Sequence, residues 1–248
     1  MALEFLRPQW PCPEHVQSLV TTRLGGVSES PYSSLNLGDH VGDLLDHVKA
    51  NRGLLKEHLP TEPIWLKQVH GTIVSTPKDR VLVADAIVTN IPNEVLAIMT
   101  ADCLPVLFSN TAGSVIGAAH AGWRGLSAGV LENTVKEMKK LTKDDDDDNI
   151  VAWLGPAIGP NAFEVGQDVV DAFQATGILY SKDVFKAIAS KPGKYLADLY
   201  ELARGHLKSV GVDEVHGGNH CTVTQADQFF SYRRDGVTGR FTNLIWIS

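Results

Sequence analysis

Residues 99–125 read M-T-A-D-C-L-P-V-L-F-S-N-T-A-G-S-V-I-G-A-A-H-A-G-W-R-G, and this stretch carries the most informative pattern in the chain. Two apolar runs, residues 95–99 and 114–119, predict short buried strands. The first run leads to Cys103 and the second leads to His120. A thiol and an imidazole are therefore predicted where a strand ends and a loop begins, a common position for functional side chains on a rigid scaffold.

The neighbours of these two side chains support the same interpretation. Pro105 excludes a helix that continues through Cys103, because proline cannot donate the backbone hydrogen bond that a helix needs. Gly122 and Gly125 favour a tight backbone turn directly after His120.

Helical and strand patterns are mixed on both sides of this stretch. Strands are predicted at residues 20–22, 64–69, 81–89, 150–154 and 244–247, with a hairpin at 229–240. Helices are predicted at residues 43–59, 126–141, 167–175 and 195–210. Because helices and strands do not alternate strictly and no linker separates them, the sequence predicts one α+β domain over residues 1–248, with mixed β-sheets flanked by helices.

The composition is that of an ordinary globular protein, with 44% hydrophobic and 21% charged residues in 248. A formal net charge of −7 does not favour binding of nucleic acid. Part of this charge lies in the acidic run 144–148, which is most simply a solvated loop. No window approaches the roughly 18 apolar residues of a membrane span. The three cysteines lack C-x-x-C spacing and suit a reducing compartment, so a cytoplasmic location is expected.

Three potential metal ligands, His70, Cys103 and His120, are predicted at junctions between strands and loops. They could be three separate buried residues, since a free cysteine behaves as a small hydrophobe. If they converge, two imidazoles and one thiolate form a zinc site with an open fourth position, the catalytic pattern, and the same ligands suit copper. Asp102 could orient a ligand imidazole, move a proton or make a loop hydrogen bond.

Five arginines lie in glycine-containing loops, where guanidinium groups could assemble an anion site or simply pair with carboxylates. They are Arg23, Arg124, Arg233, Arg234 and Arg240. A second conceivable cluster combines His216, His220 and Cys221, but no helix is predicted there to align the side chains, and its role stays open.

Eight motifs, in order between Thr21 and Arg240, resemble those of the laccase-domain family, whose members are labelled multicopper polyphenol oxidoreductase or purine nucleoside phosphorylase. The motifs are T-T-R-L-G-G-V-S, N-L-G-D-H, K-Q-V-H-G, T-A-D-C-L-P-V, H-A-G-W-R-G, L-G-P-A-I-G-P, F-F-S-Y-R-R-D-G and T-G-R. The resemblance implies a fold like the catalytic domain of a cytotoxic necrotising factor. It also implies zinc bound by His70, Cys103 and His120, or copper in its place.

The implied activities are phosphorolysis of adenosine, inosine, guanosine and methylthioadenosine, together with hydrolytic deamination of adenosine. The expected partners are a nucleoside and phosphate, without nucleic acid or membrane, in a monomer or small homo-oligomer. Catalytic roles are expected for Asp102, Cys103 and Arg23. Substrate binding is expected from Arg23, Gln68, Arg124, Arg233 and Arg234.

Three other functions use the same residues. A multicopper oxidase needs about ten histidines, many in H-x-H pairs, whereas this chain has nine histidines and no such pair, so any oxidase chemistry would need copper at the single three-ligand site. Without metal, Cys103 could be the nucleophile of an amidase, which would suit the peptidoglycan editing described for some bacterial members. The chain could also be a zinc-stabilised binding protein. Metal content discriminates between the zinc-dependent nucleoside enzyme and the metal-free amidase, because a bound zinc makes Cys103 a ligand and not a free nucleophile.

Overall fold

The computed structural model describes residues 3–142 and 149–248, so the predicted acidic loop at 144–148 lies outside the described residues. The strands are β1 (Phe5–Leu6), β2 (Val16–Thr21), β3 (Ile64–Trp65), β4 (Val74–Ser75), β5 (Ala86–Thr89), β6 (Leu96–Thr100), β7 (Leu104–Asn110), β8 (Ile116–Ala121), β9 (Ile150–Leu154), β10 (Glu164–Gly166), β11 (Phe185–Ala187), β12 (Lys194–Ala197), β13 (Glu214–Gly217) and β14 (Phe241–Ile247). The helices are α1 (Leu45–Leu54), α2 (Trp123–Ser127), α3 (Val130–Leu141), α4 (Gln167–Gln174), α5 (Leu199–Ser209) and α6 (Tyr232–Asp235), and one 3-10 turn (Leu55–His58) follows α1.

Two large mixed sheets organise the chain. The first sheet has the strand order β1-β2-β14-β6-β3 and the second has the order β13-β9-β7-β8-β5-β4. A small third sheet has the order β10-β12-β11. Pairing is parallel between β3 and β6, β4 and β5, and β9 and β13, and antiparallel in the other strand pairs described. The predicted α+β class with mixed sheets is thereby confirmed.

The second sheet is the middle layer of the molecule and is buried on both faces. Along β7, Val106 and Phe108 point to one face and Leu107 to the other, as the two-residue period of a strand requires. The face with Val106 packs against helices α2 to α5, and the face with Leu107 packs against the first sheet. A sheet covered on both sides needs apolar residues at nearly every position, which explains the unbroken apolar runs.

Strand β7 is the main element that the sequence analysis missed. All seven of its residues are buried, and it pairs with both β8 and β9. Pro105 was interpreted only as a helix breaker, but it lies at the start of this strand, a position that tolerates proline.

Three predicted helices have different boundaries in the structure. Residues 126–141 divide into α2 and α3, because Gly129 adopts a left-handed backbone with φ of 96°. Helix α5 begins only after Asp198, whose carboxylate caps it, and the residues before it form β12. The helix predicted at 43–59 shortens to α1 and the 3-10 turn, and its first flanking residue is Leu44, not Asp43.

The hairpin predicted at 229–240 is wrong. Ser231 caps the short helix α6 by accepting a hydrogen bond from the backbone N–H of Arg234. Gly236, with a φ of 70°, ends that helix, so the Asp-Gly pair is a helix terminus and not a hairpin turn.

Two further predicted elements are confirmed by the structure. The strand at 150–154 is confirmed at both ends, and the helix at 167–175 is confirmed to within one residue. The likeness to a cytotoxic necrotising factor and the assignment of all of 1–248 to one domain stay predictions. No helix within residues 3–142 or 149–248 is both long and apolar enough to span a bilayer.

Candidate metal centre and its cavity

The side chains of His70, Cys103 and His120 meet at one point of the structure. Their ligand atoms all lie within 4.8 Å of one another. The Cys103 sulfur is 3.6 Å from Nε2 of His70, and the two imidazole ring centres are 4.8 Å apart. No other group of three or more histidine, cysteine or acidic residues in the described part of the chain has this geometry.

The crossing from one sheet to the other places the thiol. Strand β6 belongs to the first sheet and β7 to the second, so the chain changes sheets at residues 101–103. Asp102 has a φ of 103°, a backbone that non-glycine residues rarely adopt, and Cys103 follows directly. His120, near the end of β8, lies opposite Pro105 of β7, which brings the imidazole to the same corner.

A buried carboxylate holds the two histidines in place. Asp85 is fully buried and its Oδ1 lies 2.9 Å from Nδ1 of His120. The same carboxylate accepts hydrogen bonds from the backbone N–H groups of Val69, His70 and Gly71. His70 has a left-handed backbone with φ of 60°, and these bonds offset the cost of that conformation. With Nδ1 of His120 bound to Asp85, its Nε2 is left for a metal.

Asp85 lies within the strand predicted at residues 81–89, and the sequence pattern assigned it no functional role. The signal was present, because a carboxylate inside such a strand is expensive to bury unless partners satisfy it. What the sequence could not show is that the partners lie on two other segments, the turn at residues 69–71 and strand β8.

Gly122 is needed for space. Its φ of −62° is ordinary, but an added Cβ would lie 2.8 Å from Cδ2 of His70 and 3.0 Å from the sulfur of Cys103. Gly125 lies within helix α2, where an added Cβ would lie 2.8 Å from the carbonyl oxygen of Gly71. Strand β8 passes into α2 across Gly122 alone, and both glycines also permit close approach between segments.

The electrostatics favour the metal-binding form of the thiol. Burial raises the pKa of Cys103, but the charges and hydrogen bonds of His120 and His70 outweigh it and lower this pKa below the ordinary value. Burial alone would lower the pKa of His120, but the Cys103 thiolate and Asp85 outweigh burial, so this pKa lies above its ordinary value. Cys103 is thus held as a thiolate, the form that coordinates metals.

The cluster opens into a cavity of about 460 Å³, within the usual size range of small-molecule sites. Of the predicted site residues, Gln68, Asp102, Arg124 and Arg233 line it together with the three candidate ligands. Further lining residues that the sequence analysis did not assign to the site are His40, Trp123, Ile158, Phe163, Leu199, Tyr232 and Arg240.

The polar side-chain atoms of two predicted site residues, Gln68 and Asp102, form hydrogen bonds to nearby backbone and loop groups. The Gln68 amide donates to the carbonyl of Met99 and accepts from its N–H, extending the end of β6. Asp102 accepts from the Thr222 hydroxyl and from the backbone N–H of Arg233. Of the three roles considered for Asp102, the loop hydrogen bond is the one present, and Asp85 orients the imidazole instead.

Arg23 and Arg234 do not line the cavity, contrary to the expectation that they face it. The Arg23 guanidinium donates to the carbonyls of Ser33 and Ala226 and stacks on Phe230. The Arg234 guanidinium donates to carbonyls of residues 222, 223 and 229 and to Asp235. Both tie loops together, so their expected contact with substrate stays a prediction without support from this geometry.

The second conceivable cluster does not assemble. His216 lies in β13, whereas Nδ1 of His220 faces the Gln225 amide and the Cys221 sulfur accepts from the N–H of Gly159. No metal-ligand group forms from these residues within 3–142 and 149–248.

A family model described as "multi-copper polyphenol oxidoreductase laccase" matches residues 17–248. The chain belongs to this family. It is 52% identical to the purine nucleoside phosphorylase YfiH of Escherichia coli, over 97% of each chain. It is 49% identical to a purine nucleoside phosphorylase of Haemophilus influenzae, over 98% of this chain and 99% of the relative.

Solved structures of relatives have the same fold. A crystal structure of a Neisseria meningitidis protein is 48% identical with a TM-score of 0.86, covering 98% of this chain and 99% of its own. The crystal structure of YlmD from Geobacillus stearothermophilus is 32% identical in sequence with a TM-score of 0.87, and the match covers 98% of this chain and 96% of YlmD.

We predict that Asp85→Asn weakens metal binding by about 10- to 100-fold, the usual cost of losing the partner of a ligand imidazole. The amide cannot accept from His120 and from three N–H groups together. Titration against a chelator of known affinity measures the effect, and Asp79→Asn, at an exposed position, is the control. Unchanged affinity in a folded Asp85→Asn variant would contradict the role given to Asp85.

We also predict that Gly122→Ala weakens metal binding while the fold persists. The new methyl group must displace His70 or Cys103, and overpacking of about 1–3 kcal/mol corresponds to a roughly 5- to 150-fold loss of affinity. Gly53→Ala is the control, because its Cβ would meet no atom within 4 Å. Equal metal content in the two variants would show that the cluster tolerates the methyl group.

Proposed function

We propose that this chain is a zinc-dependent purine nucleoside phosphorylase. The observation that carries the proposal is the His70, Cys103 and His120 cluster at a cavity large enough for a nucleoside. Relatives about 50% identical over nearly their whole length are named purine nucleoside phosphorylase, which gives the substrate class.

The donor set fits zinc. Two imidazoles and one thiolate are a known ligand set of catalytic zinc sites, and such a set leaves one coordination position open. A bound zinc would supply a Lewis acid and would lower the pKa of a bound water toward ~7. Copper would use the same three ligands. The described residues contain no second histidine–cysteine group from which a multicopper cluster could be built.

The cavity wall suits a purine nucleoside. Trp123 and Phe163 bring aromatic rings to the wall, and Arg124 and Arg233 lie over one face of each. Ile158 and Leu199 are apolar and exclude water. In phosphorolysis an oxygen of phosphate forms a bond to C1′ of the ribose as the bond from C1′ to the base breaks. The electron pair leaves with the purine, which then takes up a proton. The protein contributes by positioning the two reactants and stabilising the charges that develop.

Adenosine, inosine, guanosine and methylthioadenosine are the proposed substrates, with hydrolytic deamination of adenosine as a second activity. Cys103 remains a proposed catalytic residue as a metal ligand, and Asp102 is proposed to act through the loop that positions Cys103. Arg124 and Arg233, which line the cavity, remain proposed substrate-binding residues. A cytoplasmic location is proposed as well, and it accords with three cysteines that are all free of disulfides. The monomer or small homo-oligomer stays a prediction.

We predict that the zinc-loaded protein releases hypoxanthine from inosine only when phosphate is present, with ribose 1-phosphate as the second product. Chromatography of the products, with and without phosphate, measures this requirement. A chelator should abolish the release and added zinc should restore it. Release at the same rate without phosphate would make the enzyme a hydrolase and overturn the proposal. Conversion of adenosine to inosine in the same assay tests deamination separately.

A second candidate, a cysteine amidase, is favoured by one specific observation. Asp85, His120 and Cys103 form a carboxylate–imidazole–thiol series, in which Asp85 holds Nδ1 of His120 and the thiol is held as thiolate. This order is that of a nucleophile, its base and the group that orients the base. Such an enzyme could edit peptidoglycan precursors without any metal.

Cys103→Ser separates the two candidates. If Cys103 is a zinc ligand, we predict loss of zinc and of phosphorolysis together, because an alcohol is deprotonated far less readily than a thiol. Elemental analysis and product assays on one preparation measure both. Cys12→Ser is the control, since Cys12 lies outside the cavity lining. A metal-free preparation that is fully active on an amide, and that iodoacetamide inactivates at Cys103, would favour the amidase.

A further inference from the structure

Two glycine-containing loops, far apart in sequence, lock together at one side of the cavity. The backbone N–H of Leu37 donates to the carbonyl of Arg240, and the N–H of Arg240 donates to the side-chain oxygen of Asn36. Asn36 is fully buried and donates to Asp43 and to the carbonyl of Gly38, so the clamp is rigid. The motifs N-L-G-D-H and T-G-R therefore form one unit.

The glycines of these motifs permit the contact. A Cβ on Gly38 would lie 2.8 Å from Cγ of Arg240. A Cβ on Gly239 would lie 2.7 Å from Cζ of Phe230 and 2.9 Å from Cβ of Asn36. The stem of Arg240 thus packs directly on the backbone of the other loop, and this packing aims Arg240 and His40 at the cavity, which both of them line.

Arg240 carries a partly buried charge that forms no ion pair with any carboxylate of the described residues. Its Nη1 donates to the carbonyls of Thr238 and Gly239, while no partner in the described chain accepts from Nε or Nη2. No carboxylate of residues 3–142 or 149–248 lies within 4.0 Å of the guanidinium. A guanidinium removed from water without a counter-ion is costly, so an anionic ligand would stabilise this arrangement.

The other two arginines of the cavity are more exposed than Arg240 and make different contacts. Arg124 lies over the ring of Trp123, at 4.2 Å from its centre. Arg233 donates to the carbonyls of Ala162 and Glu164. Arg124 and Arg233 are exposed to solvent, whereas Arg240 is partly buried and leaves Nε and Nη2 unpaired within the described chain, so Arg240 is the one of these three cavity arginines whose free donors water reaches least.

We propose that Arg240, together with His40 at the cavity rim, is the oxyanion subsite of this cavity and binds inorganic phosphate. The choice of phosphate over another oxyanion rests on the proposed function, whereas the subsite rests on the geometry alone. The planar guanidinium presents paired donors that match two oxygens of a phosphate, which a lysine ammonium cannot do.

Arg240 also interacts electrostatically with the metal centre. Burial lowers the pKa of Arg240, and the negative charges of Cys103 and Asp102 oppose this, so the guanidinium lies within the electrostatic reach of the metal centre. Burial and the charge of Arg240 lower the pKa of His40, while Asp39, whose Oδ1 lies 3.5 Å from Nδ1 of His40, raises it.

Arg240→Met tests the subsite because it keeps most of the stem that packs on Gly38 and removes only the donors. In the zinc-loaded variant the KM for phosphate should rise about 10- to 100-fold, as expected for a lost charge-assisted hydrogen bond. The KM for inosine and the zinc content should not change. Arg7→Met removes the same charge at an exposed position and should leave both KM values unchanged.

Calorimetric titration with inorganic phosphate alone separates this inference from the proposed function. If the wild type binds phosphate and Arg240→Met does not, the subsite stands even when no phosphorolysis is found. If phosphorolysis occurs and the phosphate KM of Arg240→Met equals that of the wild type, the subsite is wrong and the proposed function survives. A wild type that binds no phosphate in calorimetry and shows no dependence on it in the assay also overturns the subsite.

Arg240→Lys covers the case in which Arg240→Met does not fold. It keeps the charge and the stem but loses the paired donors, so a smaller rise in the phosphate KM, about 5-fold, is expected with an unchanged KM for inosine. An unchanged phosphate KM in this variant overturns the subsite.

Discussion

The buried carboxylate of Asp85 is the interaction on which the rest of the site depends. It fixes the ring of His120 through Nδ1 and gathers three consecutive backbone N–H groups of the turn at His70. Burial raises the pKa of this carboxyl, but the hydrogen bonds from His120 and the turn outweigh it and hold the pKa below its ordinary value. One charged group therefore stabilises the geometry of two candidate ligands that lie on different segments.

The second constraint is the corner between the two sheets. Neighbouring strands in the sequence, β6 and β7, belong to different sheets, and the three residues between them must carry the chain from one sheet to the other. Asp102 adopts a left-handed backbone there and is held by Thr222 and the N–H of Arg233. The Asp102 carboxylate stabilises the loop that carries Cys103, and its oxygens accept hydrogen bonds from Thr222 and Arg233 although Asp102 lies next to the thiol.

Close approach explains most of the glycines in the family motifs. Gly122 leaves room for the ligands, Gly125 lets α2 rest on the turn after His70, and Gly38 and Gly239 let two loops interlock. None of these four has a positive φ, so their role is steric and not conformational. The arginines divide in a similar way: Arg23 and Arg234 bind carbonyls of loops, whereas Arg240 has donors left for the cavity.

The sequence by itself determined the α+β class, the strand at 150–154, the helix at 167–175 and the three candidate ligands, because apolar periodicity and ligand chemistry are local properties. It could not determine β7, whose fully buried strand has no alternating pattern, or the break at Gly129. Only the tertiary structure decided that Asp85, and not Asp102, orients His120, and that Arg240, and not Arg23, lines the cavity. The physical reason is that hydrogen bonds between distant segments depend on how the sheets pack, and spacing along one chain does not encode that packing.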